Sequence, residues 1–364
     1  MNSYRIDSHK LIFHPERTAQ WLDSREDWEK AKSVYPIYME ISPTGACNHR
    51  CSFCALDFVG YKPRALSIDI MKDRLWEMGE LGIKSIMYAG EGEPLLYKEI
   101  IRLTQSTALA GIDAAFTTNG VLLNREFIEN CLEYVTWIKT SIDAGTSRTY
   151  SKIHGADPAD FDRVVNNLKK AVAYRNRNRL KCTLGAQMLL LPKNINEIET
   201  LAKTCRDDIG LDYLVLKPYS HQELSLNKEN KDIDYNDIYT RLHDLPDLNI
   251  PGFKLIIRKE AISRYAEENR GYDMCRATPF FWSYIMSTGD VTGCSAFFSD
   301  DRFKFGNIND SSFQEIWEGD KRRQLFSQLK SGFDISVCRK NCRMNMINLY
   351  LNDLINPSSH VNFI

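Results

Sequence analysis

Long apolar runs, an export-type N-terminus and an excess of either charge are all missing from this sequence, and each absence closes off a class of function. No apolar stretch approaches the ~20 residues needed to cross a bilayer. The opening MNSYRIDSHKLIFHPER has no basic segment followed by an apolar core. A cytoplasmic location without a membrane partner is the expectation. Lys and Arg total 47 against 48 Asp and Glu, so no summed positive field draws in nucleic acid, and none is expected as a partner. Repeats of fixed period and low-complexity tracts are also absent.

Cysteine, by contrast, is plentiful. Ten occur in 364 residues, and without an export signal they are not expected to form a disulfide framework, because cytosolic reductants keep thiols reduced. Three are packed into residues 47–54, four follow residue 270, and only Cys131, Cys182 and Cys205 stand alone. Metal or redox chemistry is the reading that this distribution supports.

The central region alternates short apolar runs with helical periodicity, the pattern of βα units around a parallel sheet. Strands are predicted at 37–43, 84–90, 113–118, 136–143, 183–190 and 212–217. Ile68, Met71, Leu75 and Met78 recur at helical spacing after Ser67, a candidate N-cap, and Phe161, Val164, Val165, Leu168 and Val172 do the same before the fifth strand. Residues 220–250 are polar and read as the connection out of the barrel. Beyond it a strand at 253–257, a hairpin around Ser287-Thr288-Gly289-Asp290 and one helix from about Ser312 to Leu329 are expected. The fold class is therefore α/β, a partial (β/α)6 TIM-like barrel with a small C-terminal α+β extension. Its parts are an N-terminal extension (1–35), the barrel (36–245) and a C-terminal domain (246–364).

Cys47-x3-Cys51-x2-Cys54 lies directly after the first strand, in the loop GACNHRCSFC. Thiolates are soft ligands for iron–sulfur clusters or zinc. Three cysteines leave one iron of a cubane with an open position, whereas zinc needs a fourth ligand, for which His49 is the local candidate. This loop, with Phe53 before its third cysteine, resembles the signature of the radical S-adenosylmethionine (SAM) superfamily. The resemblance implies a 4Fe-4S cluster on Cys47, Cys51 and Cys54 whose open iron is chelated by SAM. Reductive cleavage of SAM to a 5'-deoxyadenosyl radical would follow, with an external electron donor such as flavodoxin or ferredoxin.

Further family-like strings stand at successive strand ends, where parallel α/β sheets place ligands. Gly90-Glu91-Gly92-Glu93-Pro94 is similar to the family's Gly-Gly-Glu-Pro motif with Glu91 inserted, and the resemblance points to Glu93 for the SAM amino group. Thr118-Asn119-Gly120 and Ser141-Ile142-Asp143 follow in order. By themselves they read as a turn and a cap. Alternation places Lys139, Ser141 and Asp143 on one face of the fourth strand, the barrel interior, and Gln187 on the inner face of the fifth. The cofactor-binding candidates are Phe53, Gly90, Gly92, Glu93, Asn119, Ser141, Asp143 and Gln187. Lys217, Tyr219 and His221 at the barrel mouth and His154 are candidate substrate contacts, with a solvated loop and a surface histidine as the plainer readings.

Cys275-x13-Gly289-x4-Cys294, completed by Cys338 and Cys342, resembles the SPASM and Twitch extensions behind radical SAM barrels. A second, fully cysteine-ligated 4Fe-4S cluster suited to electron transfer is implied, with structural zinc as the alternative. The expected reaction is hydrogen abstraction from a small polar, sugar- or aminocyclitol-like substrate, leading to oxidation or rearrangement by an oxidoreductase-type tailoring enzyme. Cross-linking, epimerisation or oxidation of a peptide or protein side chain is the alternative, disfavoured by the short stretch ahead of the first strand. An electron-carrier or adaptor module is the alternative of another class, and it has no need of Glu93 or Ser141-x-Asp143.

Overall fold

The computed structural model describes residues 4–243 and 245–363. One ten-stranded sheet runs through it in the order β10-β9-β8-β1-β2-β3-β4-β5-β6-β7. Its strands are β1 (Tyr38–Ile41), β2 (Ser85–Tyr88), β3 (Asp113–Thr118), β4 (Val135–Ser141), β5 (Thr183–Leu190), β6 (Tyr213–Pro218), β7 (Lys254–Ile257), β8 (Trp282–Ile285), β9 (Asp290–Thr292) and β10 (Lys304–Asn307). From β8 across to β7 all pairings are parallel, while β9 is antiparallel to both β8 and β10. The six predicted barrel strands are present in sequence order, and a mixed α/β fold built on a parallel partial barrel is the result.

Two expectations are corrected in detail. The strand at 253–257, placed after the barrel from sequence, pairs parallel with β6 and extends the barrel sheet, and β8 joins the opposite edge beside β1. Short apolar strands carry no signal of their neighbours, since pairing is decided by distant chain. The single helix expected over 312–329 is two, Phe313–Trp317 and Asp320–Lys330, separated at Gly319, whose extended backbone N-caps the second. The polar connection after β6 also holds a helix, Tyr235–His243.

The labelled helices are α1 (Pro15–Ser24), α2 (Ile68–Glu80), α3 (Ser147–His154), α4 (Ala159–Asn178), α5 (Tyr235–His243), α6 (Phe313–Trp317), α7 (Asp320–Lys330) and α8 (Asn345–Ile355). In α2 the periodic Met71, Leu75 and Met78 are buried, as are Val164, Val165, Leu168 and Val172 in α4, so each apolar stripe faces the main core. Ser67 stands at the N-cap of α2, but its side chain makes no capping bond. On β5, Leu184, Ala186 and Met188 join that core while Thr183 and Gln187 face the barrel interior.

The chain's first described residues close the barrel's flank. Tyr4 packs at a tilt against Tyr213 with ring centroids 5.2 Å apart, Asp7 pairs with Arg258 at 3.1 Å, and His9 lies 4.6 Å from the ring of Tyr350 in α8. Leu11 then joins the buried cluster containing Trp21, Phe280 and Phe281. This strip therefore bridges from β6 and β7 to the segment leading into β8.

Candidate iron–sulfur and SAM site

The cysteine loop is fixed by its neighbours' backbones. Arg50 and Ser52 donate N–H bonds to the carbonyls of His154 and Ile153 at 2.9 and 2.8 Å, seating the loop on the end of α3. Glu93 N–H bonds Ala46 O at 2.8 Å, and Asn119 donates from its side-chain amide to Asn48 at 2.8 Å. At Gly90 (φ 139°) a β-carbon would strike Ser42 just after β1, and at Gly92 it would strike Ala46, so Gly90 seats the β2 loop on the end of β1 and Gly92 lets it lie directly against the cysteine loop.

Cys51 lies within electrostatic range of both Cys47 and Cys54. Burial and the neighbouring negative charges raise all three thiols, Cys47 to about 11. Such crowding is unfavourable for bare thiolates and is relieved by a cationic cluster, so the donor set fits iron–sulfur ligation.

Of the two nearby histidines, His154 sits differently from expectation. His154 is 1% exposed rather than on the surface, with Nδ1 3.3 Å from Cys51 Sγ and Nε2 2.8 Å from Ile142 O. From the end of α3 it therefore packs against the cysteine loop. His49 is equally buried and contacts Asp160 at 3.4 Å, and single donor atoms of His49, Cys51 and His154 lie within 4.8 Å of one another. Phe53 packs edge-on against the His154 ring at 5.4 Å.

At the strand ends, Glu93 accepts bonds from Leu95 N (3.0 Å), Thr118 Oγ1 (2.6 Å) and Asn119 N (2.7 Å). Two of these fall on one oxygen, so the other keeps a free lone pair for an ammonium. Glu91, whose role the motif left open, is buried and accepts from Ser287 N at 3.1 Å and from the Ser287 hydroxyl. It ties the β2 loop to the β8–β9 hairpin. Asp143 is fully buried at φ 58°, a region few side-chain-bearing residues adopt. One oxygen accepts from Leu189 N at 2.6 Å, and the other accepts no hydrogen bond and faces His154 Nε2 at 3.6 Å. Burial pushes its carboxyl up to about 7. Ser141 is half-buried beside Gln187 in the β4–β5 register, and Gln187 Oε1 is buried without a partner.

Cys275, Cys294, Cys338 and Cys342 converge from the loop before β8, the end of β9 and the turn ahead of α8. Cys294 lies in electrostatic range of the other three, and Asn348 donates to Cys275 Sγ at 3.6 Å. Burial and the adjacent thiols push Cys338 up to about 12, the same crowding as in the first set. The lone thiols Cys131, Cys182 and Cys205 are buried in the core.

One loop connects the two sets, and no motif flagged it. Asp57, just after Cys54, accepts from Leu226 N and Asn227 N at 2.9 Å each, and Ser225 donates to Cys54 O at 3.1 Å. A few residues earlier, Gln222 donates to the carbonyl of Ser295 at 3.1 Å and Ser220 to that of Asn341 at 3.3 Å. Tyr219 is buried at the start of this loop, its hydroxyl 3.3 Å from His221 Nδ1, and is committed to this packing more than to solvent. Lys217, Lys139 and Gln187 line a chamber inside the barrel together with Trp137, Arg258 and the N-terminal strip.

Comparison with known proteins agrees with this geometry. The radical SAM superfamily profile matches residues 41–205, and that of an iron–sulfur cluster-binding domain, SPASM, matches residues 275–343. Among curated proteins the chain is 29% identical over 164 residues to an S-adenosylmethionine-dependent nucleotide dehydratase of Flammeovirga pacifica, covering 43% of this chain and 56% of that one. It is 30% identical over 171 residues to a GTP 3',8-cyclase of Haemophilus influenzae, covering 44% and 47%. The chain thus spans about half the length of these relatives. Among solved structures, Streptococcus suis SuiB bound to S-adenosylmethionine superposes with a TM-score of 0.65 at 22% identity, covering 89% of this chain and 75% of that one. anSMEcpe with bound AdoMet gives 0.58 at 18%, covering 86% and 88%. In this family the barrel domain binds a 4Fe-4S cluster and SAM, and the SPASM domain binds auxiliary iron–sulfur clusters. The chain is a member of the radical SAM superfamily with a SPASM-type iron–sulfur extension.

Proposed function

We propose that this protein is an enzyme that abstracts hydrogen from a small polar substrate held inside the barrel and releases an oxidised or rearranged product. Cys47, Cys51 and Cys54 would hold the SAM-binding cluster, and Cys275, Cys294, Cys338 and Cys342 an auxiliary one. When bound, the first cluster and SAM supply one-electron cleavage of a carbon–sulfur bond and a 5'-deoxyadenosyl radical. The chain's own task is positioning. Glu93 offers an acceptor for the SAM ammonium, Asn119 and Gly92 hold its loop against the cysteine loop, Asp143 faces His154 behind Cys51, and Gln187, beside Ser141, lines the chamber.

The observation that carries the small-substrate reading is the chamber itself. It has about 400 Å³, is walled by β4, β5 and β6, and is flanked by the strip containing Tyr4, Ile6 and Lys10. That volume suits a metabolite-sized ligand. The second cysteine set, joined to the first by the loop after β6, supports an electron outlet for a substrate radical, with an external one-electron donor serving the first. A peptide side chain is the second reading, favoured by the fold shared with SuiB, which has been solved bound to precursor peptide SuiA.

The test uses protein reconstituted with iron and sulfide, reduced with dithionite and incubated with SAM. Formation of 5'-deoxyadenosine is expected. Its absence under every reductant would overturn the enzyme reading in favour of an electron carrier.

A further inference from the structure

The chamber is lined by five cationic side chains: Arg5, Lys10, Lys139, Lys217 and Arg258, from the N-terminal strip, β4, β6 and the end of β7. Asp7 neutralises Arg258 at 3.1 Å. Lys139 and Lys217 have no carboxylate within ion-pair distance among the described residues. Lys139 lies 5.7 Å from the ring of Trp137, and Asp143 acts on both lysines only at longer range. Burial and Arg258 push Lys139 down to about 8, and burial, Lys139 and Arg258 push Lys217 to about 7. Beside them the buried Gln187 amide is 5% exposed, and its oxygen is unpartnered.

Unpaired ammonium groups gathered in a half-buried chamber either give up a proton, which the lowered values make easy, or are held charged by a counter-charge that arrives with a ligand. We propose that the chamber binds an anionic group of the substrate, a carboxylate or a phosphate, with Lys139 and Lys217 as its ion-pair partners and Gln187 as its hydrogen-bonding side chain. This rests on the reading of the barrel as the substrate chamber, and it narrows that reading. Sugars that carry an acid or phosphate ester fit, whereas an ammonium-bearing aminocyclitol meets like charge. The proposal requires no covalent step. Gln187 presents whichever amide atom the anion calls for, since a side-chain flip exchanges acceptor for donor.

The experiment is calorimetric titration of the reconstituted holoprotein, with SAM present and ionic strength fixed, using inorganic phosphate, succinate, myo-inositol and glucosamine. Phosphate or succinate is expected to bind, the tighter of the two naming the group, while inositol and glucosamine do not. Lys217→Met and Lys139→Met should each weaken the anion about tenfold, the scale of a lost charge-assisted bond, and Lys217→Arg should retain most of the affinity. Absence of anion binding to the wild type would overturn the proposal, as would unchanged binding in both Met variants. An equal loss of SAM affinity in the variants would also overturn it by assigning the lysines to the SAM carboxylate. If wild type makes 5'-deoxyadenosine yet binds no anion, this inference alone fails. If it binds the anion through the lysines yet never cleaves SAM, the anion site stands and the radical reading fails.

Discussion

Cysteine chemistry separates the two thiol sets residue by residue. Cys51 is packed between Cys47, Cys54 and the His154 ring, so Cys51→Ala removes a ligand from the cluster proposed to hold SAM, and three-cysteine ligation has none to spare. SAM cleavage is expected to fall to background. Cys338 belongs to the other set, and Cys338→Ala should keep uncoupled 5'-deoxyadenosine formation while losing product and auxiliary-cluster iron. Iron analysis with a cleavage assay on both variants checks this, wild type holding about eight irons per chain for two cubanes. Equal loss of cleavage in both would refute separate roles. The cysteines were legible in the sequence because their spacing is local. His154 was not, because its burial depends on where the end of α3 meets a loop about a hundred residues earlier.

At the scale of elements, Glu91 shows why a motif's departure can be structural. Its carboxylate is buried and serves both the backbone and the hydroxyl of Ser287, joining the β2 loop to the turn between β8 and β9. Arg64 adds a longer contact at 3.8 Å. Glu91→Gln keeps an acceptor for the Ser287 N–H but replaces two charge-assisted bonds with neutral ones, the hydroxyl turning from donor to acceptor, which should cost about 1–2 kcal/mol. Amide hydrogen exchange in β8 and β9 should quicken. Unchanged protection there would show that the tie does not hold the hairpin. No sequence pattern announces this pairing, since the partners lie 196 residues apart in the chain and meet only because β2 and β8 flank β1 in the sheet. The helix faces of α2 and α4 and the order of β1 to β6 were readable, because periodicity is local and parallel βα units have few allowed connections.

Across the whole molecule, Arg322 of α7 fastens the N-terminal region to the C-terminal one. It is fully buried and donates to Pro279 O (3.0 Å), Lys32 O (3.1 Å), Trp317 O (2.7 Å), Ala31 O (3.2 Å) and Val34 O (3.2 Å). Its guanidinium also stacks over Trp317 at 4.2 Å. Arg322→Met keeps the apolar stem but leaves those carbonyls without their donor, for an expected loss of about 3 kcal/mol. Equilibrium denaturation of the apo-protein measures it, and a change below about 1 kcal/mol would contradict the fastening role. The same continuity appears in the sheet, where β8 lies beside β1 although some 240 residues separate them. β7 likewise joins β6, so the polar texture after residue 220 marks a long excursion and not the end of the parallel sheet.

The sequence by itself determined the chemistry of the two thiol sets, the six ordered βα units and the strand-end strings, because each is written within a few residues by ligand count or periodicity. Only the tertiary structure decided what those pieces face. It buried His154 on Cys51, turned Glu91 into a strut, laid the loop after β6 against both cysteine sets, and gathered cations from distant elements around one chamber. Each of these depends on contacts between segments far apart in the chain, and their charges and burial exist only once the sheet has closed around them.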